Sequence, residues 1–156
     1  MKKIASILVI LFCSGCAAIK YTPPTSGPIA NILLKNDSES KLLVVFFEES
    51  SGCKRRRNIP DTGPNTVSNY SIYAGREFTF QYYLTKSTGT RELYCVTNLR
   101  FLPEPNHRYL FRTDVKENKC KWIMIDITNK DYPKPIKLDA IPWETGWDEN
   151  SSFCKE

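Results

Sequence analysis

Short apolar segments, spaced about ten residues apart and separated by turn residues, constrain this chain to an all-β fold. From residue 29 onward, runs rich in Val, Ile, Phe and Tyr alternate with clusters of Gly, Pro, Asn, Asp and Ser. The segment 77–84 alternates most cleanly, because Phe78, Phe80 and Tyr82 fall on one face and polar residues on the other. A period of two residues is that of a β-strand. We therefore predict a single antiparallel β-sandwich.

The predicted sandwich domain spans residues 29–140. Continuous apolar character over residues 41–47 predicts a strand covered on both faces. The polar residues 36–40 predict a hairpin between the first two strands, and residues 48–64 are predicted to be irregular. The predicted strands cover residues 29–34, 41–47, 67–73, 77–84, 93–102, 109–113 and 120–128, with an edge strand at 136–138.

The first residues have the pattern of an export signal. Lys2 and Lys3 form a basic start, and residues 4–12 are almost uninterruptedly apolar. This run is shorter than the about 20 residues that a transmembrane helix needs, and it matches the h-region of a secretory signal. Residues 11–16, Leu-Phe-Cys-Ser-Gly-Cys, resemble a bacterial lipobox, in which signal peptidase II cuts before a cysteine that carries lipid. The sequence departs from the usual motif at Cys13, where Leu is common.

The lipobox resemblance implies a division of the N-terminal region and a location. Residues 1–15 would be the signal peptide, and Cys16 the lipidated site; the alternative is an ordinary signal peptide cleaved near residue 17 or 18. Residues 16–28 are rich in Pro, Ser, Thr and Gly, which predicts a flexible linker that holds the domain off the membrane. Ala17 stands where an Asp commonly retains lipoproteins in the inner membrane. The resemblance therefore implies the outer membrane, facing the periplasm.

Charge and cysteine content exclude some classes of function. The net charge of +5 falls to about +3 without Lys2 and Lys3, which is too weak to predict a nucleic-acid partner. Four cysteines remain after position 16, an even number that predicts two disulfides in an oxidising compartment. The absence of CxxC spacing and the single histidine, His107, argue against a metal site, and we predict no cofactor. The four are Cys53, Cys95, Cys120 and Cys154.

A meander of neighbouring strands favours the pairs Cys53–Cys95 and Cys120–Cys154. In such a meander Cys95 and Cys120 would flank one strand, roughly 9 to 10 Å apart. This separation exceeds the Cα limit of about 7 Å for a disulfide. Four cysteines allow three pairings, so the connectivity stays open. In the favoured pairing, Cys154 would pin the C-terminal tail, residues 141–156, against the sheet.

Residues 53–128 combine conspicuous turn, core and cysteine positions: Cys53 before a basic stretch, Ala74-Gly75 with Phe78 and Phe80, Cys95, Phe101 and Pro103, Tyr109, and Cys120 opening a strand that ends near Asp126 and Thr128. With these positions, the segment resembles a loose family of small bacterial lipoproteins with an immunoglobulin-like or transthyretin-like sandwich. The family usually has Gly in the turn before Tyr109, where this chain has Asn106, a residue that tolerates left-handed backbone. The resemblance implies a fold and no activity.

Two surface features are candidates for binding. The run Lys54, Arg55, Arg56 and Arg57 fits a solvated loop, or else a contact with anionic lipid headgroups or an acidic partner. Trp143 and Trp147 fit a cap on the edge of the core, or else a partner-binding patch.

No catalytic arrangement is evident in the sequence. His107 is predicted to be a solvated loop residue, and no catalytic motif surrounds it. We therefore predict a non-catalytic module of the cell envelope, bound to the membrane through lipid on Cys16, that meets an envelope protein or glycan. The alternative is a periplasmic lipoprotein that inhibits a lysozyme-like or other envelope enzyme, which should present a protruding loop.

Overall fold

The computed structural model describes residues 19–87, 92–117 and 119–155. The predicted signal peptide and lipidation site, including Cys13 and Cys16, lie outside these residues. Within the described ranges the chain forms ten β-strands and one short 3-10 turn, Ser51–Cys53, and no α-helix. The strands are β1 (Ile29–Asn36), β2 (Leu42–Glu49), β3 (Lys54–Asn58), β4 (Val67–Tyr73), β5 (Phe78–Ser87), β6 (Glu92–Phe101), β7 (Arg108–Lys116), β8 (Lys119–Asp126), β9 (Lys134–Ile136) and β10 (Asp139–Ile141).

The strands form two five-stranded sheets, so the prediction of an all-β sandwich is confirmed. One sheet has the order β4-β1-β7-β8-β9 and the other the order β10-β6-β5-β2-β3. The arrangement is not purely antiparallel, because β1 runs parallel to β7. The predicted hairpin of the first two strands is wrong: β1 pairs with β4 and β7, whereas β2 pairs with β3 and β5 in the other sheet. Residues 37–41 therefore cross between sheets.

The core between the sheets is largely aromatic. Phe78, Phe80 and Tyr82 of β5 are buried, as their alternation predicts. Phe80 meets Phe111 of the opposite sheet edge to face, with ring centroids 5.0 Å apart. Burial of a side chain of this size contributes roughly 1.5–3 kcal/mol, so such pairs hold the two sheets together.

Strand β2 is covered on both faces over most of its length, as predicted. Val44 and Phe46 lie in the main core, whereas Val45 and Phe47 form a second cluster with Phe153 of the C-terminal segment. The rings of Phe47 and Phe153 are 5.8 Å apart. The C-terminal segment therefore covers the second face of β2.

The described part of the chain contains two disulfides, but the favoured pairing was wrong. Cys95 of β6 bonds Cys120 of β8, and Cys53 bonds Cys154, with Cα–Cα distances of 5.7 and 5.3 Å. The meander placed Cys95 and Cys120 in one sheet. In the structure β6 and β8 belong to different sheets, so the two cysteines face each other across the sandwich rather than flanking a strand.

Residues 19–28 do not form a stalk in the structure. Tyr21 packs edge to face on Phe46, with ring centroids 4.8 Å apart, and its hydroxyl donates to the carbonyl of Ser71 at 2.9 Å. At the end of this segment the carbonyl of Pro28 accepts a hydrogen bond from Ala74. The prediction of a flexible linker is therefore wrong for residues 19–28, because Tyr21 supplies the apolar surface that the surrounding composition lacks.

Candidate functional site

The basic segment predicted to be an irregular loop is the edge strand β3. One edge of β3 pairs with β2. The other edge forms backbone hydrogen bonds with segments from both ends of the described chain. Asn58 exchanges backbone hydrogen bonds of 2.9 Å with Ile19 and Tyr21, and the amide of Arg56 donates to the carbonyl of Glu149 at 2.6 Å. These bonds satisfy backbone groups that an open sheet edge would expose. We call residues 19–21, β3 and residues 146–154 the terminal face.

Two of the four basic side chains are neutralised by acids of β2. Arg57 forms a bidentate pair with Glu48, at 2.7 Å from Nε and 2.9 Å from Nη2. Arg55 Nε lies 3.9 Å from Glu48 and 3.7 Å from Glu49. Because both arginines contact Glu48, they lie on the same side of the sheet edge.

The other two basic residues, Lys54 and Arg56, lie on the opposite face of β3. Arg56 lies with its guanidinium carbon 5.4 Å from the centroid of the Phe153 ring, in a cation–π contact. Burial lowers the pKa of Arg56 below its ordinary value, although arginine stays protonated in proteins. Lys54 is exposed at the start of β3, Lys20 is exposed beside Asn58 at the other end of the strand, and neither has an ion pair within the described residues.

Trp147 is fully exposed at the tip of an ordered loop. The Asp148 carboxylate accepts hydrogen bonds from the amide of Asn150 and the hydroxyl of Ser151, at 2.9 and 3.0 Å. The Ser151 hydroxyl in turn accepts from the amide of Trp147 at 3.1 Å. The predicted role as a cap on the core is therefore wrong for Trp147, whose side chain has 100% of its surface in solvent.

The base of this loop is fixed to the sheet by covalent and polar contacts. The disulfide from Cys154 to Cys53 holds its end, and Asn98 donates to the carbonyl of Phe153 at 2.8 Å. Gly146 lies flat on the Phe153 ring, where an added Cβ would come within 2.6 Å of the ring. Only glycine fits there, so Trp147 is presented on a loop of defined shape.

The structure brings Trp147 to the basic strand but places Trp143 elsewhere. Ile19, Arg56 and Trp147 line one cleft of about 250 Å³. Trp143, which is half exposed, lines a separate shallow depression beside Thr97 of β6. Sequence reasoning missed Ile19 and Phe153 as parts of this surface. The signal for the first was weak, since Ile19 and Tyr21 are the apolar exceptions in a segment otherwise dominated by small, polar and proline residues.

A second cleft of about 500 Å³ lies on the other side of the N-terminal segment. Its walls carry both charges, including Glu48, Arg55 and Arg76, and Arg76 stacks on Tyr73 at 4.1 Å. Burial, followed by the neighbouring Tyr73, raises the pKa of Tyr21 to about 12. Its hydroxyl therefore stays protonated and keeps its bond to Ser71 at neutral pH.

His107 is not the solvated loop residue that was predicted. Its Nδ1 lies 2.6 Å from Asp126 Oδ2, and its ring stacks on Tyr109. Burial raises the pKa of Asp126, but hydrogen bonds from Thr128 and His107 outweigh this and hold the pKa below its ordinary value. These contacts tie the turn before β7 to the end of β8. Asn106 in this turn has a φ of 64°, which confirms that it takes the left-handed conformation.

Among residues 19–87, 92–117 and 119–155, no cluster of three or more His, Cys, Asp or Glu side chains is placed to hold a metal ion. No helix in these ranges is both long enough and apolar enough to cross a membrane.

Comparison of the chain with models of known protein families finds no match, and comparison with curated proteins also finds none.

Proposed function

We propose that this protein is a lipid-anchored, non-catalytic module of the bacterial cell envelope, held at the outer membrane through Cys16 and facing the periplasm. Its binding surface is the terminal face. The anchor is supported by the lipobox-like residues 11–16. The observation that carries the binding surface is Trp147, a large apolar side chain that is fully exposed on a loop fixed by a disulfide and by Asp148.

Exposure of a tryptophan on an ordered loop favours binding over a structural role. The side chain contributes no burial to the fold, so its removal should leave stability nearly unchanged. A preordered aromatic residue loses little conformational entropy on association, and aromatic residues concentrate binding energy at interfaces. We therefore assign Trp147 to contact with another component of the envelope.

Of the two sandwich types that the resemblance implies, we favour the transthyretin-like one. In the immunoglobulin constant-type sandwich, the first strand lies beside the second in one sheet. Here β1 lies between β4 and β7, and β2 belongs to the other sheet. This strand order argues against the immunoglobulin arrangement.

Cell fractionation with matched variants tests the proposal. Wild-type protein should appear in the membrane fraction, and Cys16→Ser should appear in the soluble periplasmic fraction. Purified Cys16→Ser protein should still bind isolated envelopes, and the further change Trp147→Ala should weaken that binding several-fold. Tyr132→Ala is the matched control, because Tyr132 is 73% exposed outside the terminal face. Equal binding of the Trp147 and Tyr132 variants would contradict the assignment.

The loop of Trp147 also supports a second candidate, an inhibitor of a lysozyme-like envelope enzyme. Such an inhibitor needs a protruding loop of fixed shape, which the segment around Gly146 and Asp148 supplies. Titration of a lysozyme with the purified protein tests it: inhibition should be stoichiometric and should be lost in Trp147→Ala. Unchanged lysozyme activity at protein excess would reject this candidate for that enzyme.

A further inference from the structure

We propose that the terminal face rests on the bilayer that holds the lipid anchor, with Ile19 and Trp147 in the headgroup region and Lys20 and Lys54 beside anionic phospholipids. This inference rests on the proposed function, since it takes Cys16 as the lipidated residue. It names the envelope component that Trp147 contacts, and it replaces the predicted stalk by a direct contact between domain and membrane.

The chain between the lipid anchor and the domain is short. Ile19 is the third residue after Cys16, and three residues span at most about 11 Å even when fully extended. Ile19 is itself hydrogen-bonded to Asn58 of β3. The anchor therefore cannot hold β3 far from the membrane, because the headgroup layer alone is roughly 5–8 Å thick on each side.

The surface that this short connection brings to the membrane is partly apolar. Ile19, with 41% of its surface exposed, and Trp147 line the same cleft. Tryptophan is enriched at membrane–water interfaces, where its ring meets acyl chains and its N–H meets headgroups. A hydrophobic pair beside the attachment point thus matches a lipid interface better than it matches water.

The charged residues of the terminal face determine how strongly its binding to the bilayer depends on anionic lipid. Lys20 and Lys54 are exposed there, and Arg56 lies against Phe153. The Asp148 carboxylate is engaged within its own loop, and Glu149 is half buried nearby. Because both signs are present, insertion of Trp147 should contribute more to the contact than attraction between charges.

Fluorescence quenching in vesicles tests the inference. The full lipidated protein, purified from envelopes, is reconstituted in vesicles of phosphatidylethanolamine and phosphatidylglycerol. The acyl chains are either unmodified or brominated near their headgroup end, where bromine quenches tryptophans at the membrane interface. Wild-type fluorescence should be quenched. Trp147→Phe should lose most of this quenching, whereas the matched control Trp143→Phe should retain it.

Each outcome separates the inference from the proposed function. If Cys16 is lipidated but brominated lipid does not quench the wild type, or quenches Trp147→Phe equally, the inference is overturned and the lipoprotein assignment stands. Protection of Trp147 in whole envelopes without quenching in vesicles would indicate a protein or glycan partner and would also overturn it. An unmodified Cys16 in the same preparation would overturn both.

Discussion

Asn36 is a fully buried polar residue that holds the crossing between the two sheets. Its side-chain nitrogen donates to the carbonyls of Ser40, Thr62 and Gly63, at 2.6, 3.1 and 3.1 Å. Its oxygen accepts from the amide and hydroxyl of Ser38. The sequence 36–38 is typical of a turn, and nothing local in it indicates that the asparagine would be enclosed by a loop more than 20 residues away.

Asn36→Ala should destabilise the fold, because it removes five hydrogen bonds of a buried side chain and takes away the acceptor of the buried Ser38 amide. We expect a loss of about 2–4 kcal/mol in the free energy of unfolding, measured by urea denaturation. The matched control is Asn129→Ala, since Asn129 accepts one exposed hydrogen bond from Asp131. The control should change stability by less than about 0.5 kcal/mol. Equal effects of the two variants would show that the Asn36 network is unimportant.

Asp126 makes stability depend on pH. Its folded-state pKa is lowered from 3.8, despite burial, by hydrogen bonds from Thr128 and His107. An acid with a lowered pKa stabilises the fold above its unfolded pKa, and this contribution disappears as pH falls below about 4. Between pH ~6 and pH ~3, wild-type protein should therefore lose more stability than Asp126→Asn in urea denaturation. Parallel pH profiles of the two proteins would contradict this role.

At the scale of elements, the N-terminal segment 19–28 belongs to the fold. Tyr21→Ala removes the ring contact with Phe46 and the hydrogen bond to Ser71, and it should cost about 2–3 kcal/mol of unfolding free energy. Tyr132→Ala, at an exposed position, should change the urea midpoint little. If residues 19–28 were a flexible linker, both variants would unfold at the wild-type midpoint.

The two disulfides constrain segments of very different length. Cys53–Cys154 closes a separation of 101 residues and Cys95–Cys120 one of 25. Loop-closure entropy gives about 4.7 kcal/mol for the longer loop and about 3.5 kcal/mol for the shorter one. The double variant Cys53→Ala/Cys154→Ala should therefore lose more stability than Cys95→Ala/Cys120→Ala in urea denaturation. Non-reducing peptide mapping checks the connectivity, and a peptide joining Cys53 to Cys95 would refute it.

Strand positions follow from local sequence, whereas strand pairing does not. The segments 67–73 and 77–84 were predicted nearly as observed, because their alternation records which side chains face the core. The basic segment 54–58 was not predicted as a strand, because its hydrogen-bond partners come from distant parts of the chain. These partners are β2 and the backbones of Ile19, Tyr21 and Glu149. β10 was likewise missed, since three residues are too few to establish a period.

For the whole molecule, the decisive unpredicted feature is which sheet each strand joins. Because β6 and β8 lie in different sheets, Cys95 can bond Cys120, which the expected meander did not allow. The same topology leaves β3 at an edge, where Ile19 and the loop of Trp147 meet. The basic run and Trp147 were identified from sequence as separate features, and only the fold makes them one surface.

The central claim is that lipid on Cys16 fixes this domain to a bacterial membrane. The most direct test is mass spectrometry of the N-terminal peptide from native protein purified out of detergent-solubilised envelopes. The account predicts that the chain begins at Cys16, with a diacylglycerol on the thiol. A free thiol at Cys16, with residues 1–15 still attached or removed at another bond, would contradict it.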